Sequence, residues 1–161
     1  MEVGIRRARA GDEERVAELL LKLVKQHVDY NPKRFADFVT KEGAAAFYAG
    51  RFRAEDARVL VAELGSDIVG FAYLEFEERN YEELVAKGVW LHDIFVEPTS
   101  RSDGVGKALM EAAIAAAAEM GGDKLLLATA AKNLAGRDFF EHFGFRPTMI
   151  EMTLDLSGNS R

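Results

Sequence analysis

Apolar and polar residues alternate in short stretches at about Val3–Arg9, Arg58–Leu64, Ile68–Glu77, Val89–Val96, Lys124–Ala130 and Met149–Leu156, and each stretch predicts a β-strand. Elsewhere the apolar spacing lengthens to three and four. After Asp12, which suits an N-cap, Val16, Leu19, Leu20, Leu23 and Val24 form one stripe of a helix reaching about Val28. Pro32 interrupts the chain, and Phe35, Phe38, Val39 and Phe47 mark a second helix over about 33–48. The alanine-rich run 108–120 is strongly helix-forming and is stopped by Gly121 and Gly122; a last helix spans about Ala135 to Phe143 and ends at Gly144.

The order of these elements sets the fold class. Gly65-Ser66-Asp67 joins two strands as a short hairpin, so the first half of the sheet is antiparallel. Val89–Val96, the alanine-rich helix and Lys124–Ala130 form a βαβ unit, which requires a parallel strand pair. The expectation is an α/β fold in one domain over 1–161: a mixed central sheet with helices on both faces.

Composition narrows the function more by exclusion than by assignment. With 161 residues, 48% apolar, the chain has the size of one domain with a real core. It has no apolar run of about 18 residues, and its N-terminus, MEVGIRRARAGDEER, is charged where a signal peptide is apolar, so a cytoplasmic location is expected. The absence of cysteine removes disulfides, thiolate zinc sites and cysteine-linked acyl intermediates. His27, His92 and His142 are too scattered to suggest a metal site. A net charge of −6 argues against nucleic-acid and membrane-surface binding and mildly favours a cationic partner, although such a charge also simply keeps a small domain soluble.

The most specific stretch is 89–107, where an apolar strand ends at Pro98 and opens into Arg101-Ser102-Asp103-Gly104-Val105-Gly106-Lys107 before the alanine-rich helix. Backbone N–H groups at the start of a helix attract anions, phosphate above all. A dinucleotide fold would need a third glycine where Met110 stands, and a P-loop would need a hydroxyl where Ala108 follows Gly106-Lys107.

Taken with its surroundings, this stretch resembles the GNAT superfamily of acyl-CoA-dependent N-acetyltransferases. The family's Arg/Gln-x-x-Gly-x-Gly/Ala signature reads Arg101 to Gly106, after the strand Leu91–Val96 and Pro98; downstream, Asn133 and the segment Phe139 to Phe145 match a second family element. The resemblance implies acetyl-CoA as co-substrate and no metal. Gly104 and Gly106 would let the backbone, from Ser102 through Val105 to Lys107, approach the pyrophosphate. Arg101 either contacts the phosphates or braces the turn. Asp103, an acidic residue beside an anion site, is read as solvent-facing or helix-capping. The strand around Phe95 and Val96 would splay from its parallel neighbour and pair with the pantetheine arm, with Asn133 on the far side, a residue equally suited to capping a helix.

Catalysis requires a neutral amine, so a proton must be accepted. His92 and Asp93 stand where the family often places a glutamate base; His92 suits proton transfer at neutral pH, and Asp93 suits binding the ammonium unless it is well buried. Phe140 replaces a tyrosine that in many members can protonate the departing thiolate. An acyl-CoA-binding regulatory module with little turnover is therefore the alternative to an enzyme that acetylates a primary amine by direct attack in a ternary complex. Tyr30, Tyr73, Glu75 and Asp93 are candidates for the acceptor side, with the acidic segment 75–83 pointing to a small cationic amine or simply forming a solvated face. The terminal stretch Met149–Leu156 is an expected strand of the kind that in such folds contributes to a homodimer contact.

Overall fold

In a computed structural model, which describes residues 1–157, five strands form one sheet in the order β1-β2-β3-β4-β5. They are β1 (Val3–Arg7), β2 (Ala57–Leu64), β3 (Asp67–Asn80), β4 (Val85–Val96) and β5 (Lys124–Leu126). Four helices accompany them: α1 (Glu13–Tyr30), α2 (Lys41–Arg51), α3 (Val105–Glu119) and α4 (Leu134–His142), with a 3-10 turn over Pro98–Asp103. β1 to β4 pair antiparallel, and β4 pairs parallel with β5. The mixed sheet expected from the sequence is present.

The alternation along β2, β3 and β4 feeds two separate cores. On one face Leu60, Ala62, Ala72, Leu74, Val89 and Leu91 pack against Val105, Leu109, Met110, Ala113 and Ala117 of α3. On the other, Val59, Val61, Phe71, Tyr73 and Phe95 meet Val16, Leu19 and Leu23 of α1 and Tyr48 of α2. Burying an aliphatic side chain such as Leu19 or Leu109 contributes roughly 1.5–3 kcal/mol, and the alanines of α3 let that helix lie close to the sheet.

Several boundaries differ from the sequence reading. The second helix begins at Lys41, not near Lys33, because Thr40 caps it by accepting from Gly43 N at 3.0 Å, while Phe38, counted as apolar stripe, is exposed. Asp12 does stand at the N-cap of α1, yet its carboxylate bonds Arg9 N (2.8 Å) and Arg6 Nη1 (2.7 Å) instead of the first turn. The fifth strand ends at Leu126, so 127–130 run on without a ladder partner. The expected strand Met149–Leu156 is absent: this segment belongs to no sheet, and its apolar side chains are exposed.

Candidate active site

Two features of β4 build the site. The first is its parting from β5. Only Gly88, Val89 and Trp90 pair with Lys124, Leu125 and Leu126, so β4 from Leu91 onward has an open backbone edge on that side. The indole N–H of Trp90 and the hydroxyl of Thr129 are both buried without a protein partner, on the two chain segments that diverge there.

At the end of β4 the chain turns through Pro98–Asp103 to Gly104, whose φ of 77° is left-handed and suits glycine. α3 starts immediately after it. Ala108 N donates to Gly104 O at 3.0 Å, which leaves the N–H groups of Val105, Gly106 and Lys107 outside the helix's own bonding, and no side chain caps them. Ser102, Asp103 and Gly104 are exposed, Val105 is buried in the core, and Gly106 lies beside the Phe139 ring. Lys107 is exposed, 3.9 Å from Glu111. Arg101 braces the turn: its Nε donates to Val96 O at 3.0 Å and its guanidinium lies 5.6 Å from the centre of the Phe95 ring. Of the two roles left open for Asp103, the geometry fits the solvent-facing one.

The second feature is a β-bulge. Tyr73 pairs with Asp93 and Leu74 with Leu91, leaving His92 as an extra residue on β4. The bulge reverses the alternation: Val89 and Leu91 enter the α3 core, whereas Phe95, two residues past Asp93, enters the α1/α2 core. His92 and Asp93, neighbours in sequence, therefore lie on the same face of the sheet as Tyr73 and Glu75.

Asp93 Oδ2 accepts a 2.5 Å hydrogen bond from the hydroxyl of Tyr48, a residue with no solvent exposure. Burial raises the Asp93 carboxyl above its ordinary value, against the opposing pull of the Tyr48 bond and of the His92 and His27 charges. Burial and the facing Asp93 carboxylate likewise push the Tyr48 hydroxyl up, so it remains a donor. His92 is 40% exposed on its side chain; its Nε2 is 3.5 Å from Glu75 Oε1, and its ring lies between Tyr73 (5.3 Å, tilted) and Trp90 (6.5 Å, stacked). Glu75 is fixed from behind by Arg51 Nη2 (2.8 Å) and by the Tyr73 hydroxyl (3.0 Å), which in turn accepts from Arg51 Nε at 2.9 Å. A depression of about 270 Å³ adjoins His92, lined by Glu77, Asn80, Glu83, Trp90, Leu91, His92 and Ala128. A hollow of about 390 Å³ at Met1–Gly4, Glu63 and Gly65 lies at the opposite sheet edge, away from these groups.

Tyr30 and Asn133, expected beside the acceptor and beside the coenzyme respectively, are joined directly. The Tyr30 hydroxyl donates to Asn133 Oδ1 at 3.1 Å, and the same oxygen caps α4 by accepting from Gly136 N at 3.0 Å. Phe140 is half-buried on α4, edge-on to Phe139 and Phe145. Among the described residues no group of three His, Asp or Glu side chains is arranged to hold a metal, and no helix is long and apolar enough to cross a membrane. Tyr48, Arg51 and Trp90 were not singled out in the sequence. The signal that would have found the first two is the Thr40 cap, which fixes the register of α2 and turns Tyr48 toward β4.

Comparison with known proteins accords with this geometry. Residues 20–145 match the Acetyltransferase (GNAT) family. The chain is 30% identical over 105 residues to the uncharacterized N-acetyltransferase YhfO of Bacillus subtilis (strain 168), covering 65% of this chain and 68% of that protein. In fold it is similar to a mutant of the Bacillus halodurans protein BH1408 (TM-score 0.83, 23% identity, 95% and 99% of the two chains). It is also similar to the aminoglycoside N-acetyltransferase AAC(6')-Iy in complex with CoA (TM-score 0.78, 19% identity, 98% and 96%). A turn before α3 that leaves free N–H groups, an open edge on β4 and a match spanning most of the chain lead to one conclusion: this protein is a member of the GNAT family of acetyltransferases.

Proposed function

We propose that the protein transfers the acetyl group of acetyl-CoA to a primary amine, the acceptor being a small cationic amine. The observation that carries this reading is the bulge at His92, which sets His92 and Asp93 side by side next to the edge where β4 leaves β5. The pyrophosphate is held by the N–H groups of Val105, Gly106 and Lys107, and the pantetheine amides bond the open edge of β4, where Trp90 Nε1 and Thr129 Oγ1 are unpaired. Arg101 contributes by holding the turn rather than by touching phosphate. The coenzyme complex of AAC(6')-Iy supports this placement by analogy of fold.

Glu77 and Glu83 in the depression would attract the ammonium form of the acceptor. His92 then takes the proton, and Glu75, 3.5 Å away, stabilises the imidazolium that forms. The amine nitrogen attacks the thioester carbon; the C–N bond forms, the C–S bond breaks, and the thiolate is reprotonated by water or by the proton that the substrate released, since Phe140 offers none. Release of free coenzyme thiol over a panel of polyamines, aminoglycosides, amino acids and peptide N-termini tests the reading. Acetyl-CoA binding without turnover on every amine would instead favour the regulatory module. His92→Gln is expected to lower kcat and to remove one limb of its pH profile while leaving acetyl-CoA affinity unchanged; an unaltered profile would take His92 out of the mechanism.

A further inference from the structure

The hydrogen bonds around Glu75 run in one direction only. Arg51, the last residue of α2, is a pure donor: its Nε reaches the Tyr73 hydroxyl at 2.9 Å and its Nη2 reaches Glu75 Oε2 at 2.8 Å. The Tyr73 oxygen therefore accepts from Arg51, and its single proton goes to Glu75 Oε2, 3.0 Å away. Burial and then the bond to Glu75 raise this hydroxyl above its ordinary value, so it keeps that proton. One carboxylate oxygen thus takes two donors and is held from the α2 side. Asp56 Oδ1, 3.2 Å from the same Nη2, steadies Arg51 from the solvent side.

The other oxygen faces the site. Glu75 Oε1 is 3.5 Å from His92 Nε2, and among the described residues no other carboxylate pairs with this ring. An ionised carboxylate only accepts, so the nitrogen turned toward it carries hydrogen, and in a neutral ring the lone pair is then on Nδ1. At 3.5 Å the contact is longer than a formed hydrogen bond; contacts of this kind shorten when the acceptor enters. The ring plane is set separately, by Tyr73 tilted at 5.3 Å and by Trp90 stacked at 6.5 Å with 17° between the planes. Aromatic neighbours fix the plane of the imidazole, and Glu75 distinguishes its two edges.

We propose that Arg51 and Tyr73 are positioning residues that, through Glu75, hold His92 as the tautomer protonated on Nε2, so that Nδ1 is the atom that takes the proton from the acceptor amine. In that step an N–H bond of the amine breaks, its electron pair stays on the amine nitrogen, and an Nδ1–H bond forms. The positive charge on the ring meets Glu75, whose own charge is matched by Arg51. Loss of the Nδ1 proton to water restores the starting tautomer, and the ring has no need to turn between cycles. The inference rests on the reading of His92 as the base.

Nitrogen chemical shifts of isotope-labelled histidine test it in the full chain. There are three histidines, and the signals of His92 are those lost in His92→Gln. At a pH where the ring is neutral, His92 should be wholly in the Nε2–H form, beyond the modest preference of free histidine for it. Glu75→Ala and Arg51→Met should return it to the free-histidine mixture, and Tyr73→Phe, which keeps the ring but not the hydroxyl, should do so in part. Arg51→Met should also lower kcat roughly tenfold, a share of the roughly 10²–10⁴ that a positioned base contributes, with the KM for acetyl-CoA unchanged. A wild-type ring found mainly as Nδ1–H, a wild-type ring with the free-histidine mixture, or a tautomer indifferent to Glu75→Ala would each overturn the proposal, whether or not the Arg51 variant folds. The spectrum needs no turnover. A wholly Nε2–H ring in an enzyme whose activity survives His92→Gln would overturn the base reading, and with it the role of Nδ1, while the hold of Glu75 on the ring would stand.

Discussion

The hydroxyl of Tyr48 and the carboxylate of Asp93 lie 2.5 Å apart, one on α2 and the other just past the bulge of β4, so a helix that carries no other candidate catalytic group determines where the carboxylate sits. Tyr48→Phe removes the only hydrogen bond made to the Asp93 carboxylate among the described residues while keeping the ring that packs on Phe71 and Tyr73. The expected loss is about 1–3 kcal/mol of stability, the cost of leaving a buried acceptor unsatisfied. Chemical denaturation with an unchanged m-value checks it, and a fall in kcat without a change in acetyl-CoA affinity would mark the positioning role.

Asp93 itself should oppose stability near neutrality. Its folded-state pKa is raised by burial, so the folded protein holds this proton more tightly than the unfolded chain does. The contribution is favourable below the ordinary carboxylate value of about 3.9 and is lost as pH rises through the raised one. Asp93→Asn keeps an acceptor for Tyr48 and removes the charge. A higher Tm than wild type at pH 7, with the gap closing on acidification, is expected alongside reduced turnover; a lower Tm at pH 7 would refute the argument.

The pair Arg6–Asp12 should behave in the opposite sense. Hydrogen bonds from Arg6 hold the Asp12 carboxyl below its usual range, the side chains are 2.7 Å apart, and Asp12 also fixes Arg9 N. Its contribution is present above the unfolded value of about 3.9 and disappears as pH falls through the lower folded one. Asp12→Asn is expected to cost about 2 kcal/mol at pH 7, as for a hydrogen bond to a charged group, and less near pH 2. Tm measured against pH for both proteins decides it.

Gly104→Ala separates backbone strain from crowding. A Cβ there would meet nothing within 4 Å, but φ of 77° is costly for alanine, about 1–2 kcal/mol. A loss of that size in stability, with acetyl-CoA affinity reduced at least severalfold by calorimetry as the turn relaxes, is the expected result.

How far the sequence reveals the molecule depends on the kind of information each element uses. The strands of the β2–β3 hairpin and the helix α3 were legible because alternation, Gly65 and the alanine run are local signals that packing does not oppose. The start of the second helix is not legible in the apolar spacing, because Phe35 and Phe38 mimic a buried stripe, whereas the boundary is set by the short-range bond from Gly43 N to Thr40. His92 and Asp93 stood out as titratable neighbours, but only the bulge brings them to one face, and nothing in the period of β4 announces it. The Arg51–Glu75–Tyr73 cluster joins α2 to β3 and is tertiary by nature, hence invisible in one dimension. Arg101 was ambiguous for the same reason, since its partner, Val96 O, is a backbone atom.

The division of the hydrophobic interior into two cores, α3 on one side of the sheet and α1 with α2 on the other, has a consequence for how such a protein can change. On the proposed reading, the turn that would hold the thioester donor belongs to the α3 layer, while Tyr48 and Arg51 lie on α2 and Glu75 is bonded to it through Arg51. Substitutions on one side reach the other only through the strands themselves. A library confined to α2 and the loop before it should therefore retune which amine is accepted while every member still recognises the same donor, which makes α2 the natural segment to vary in directed evolution.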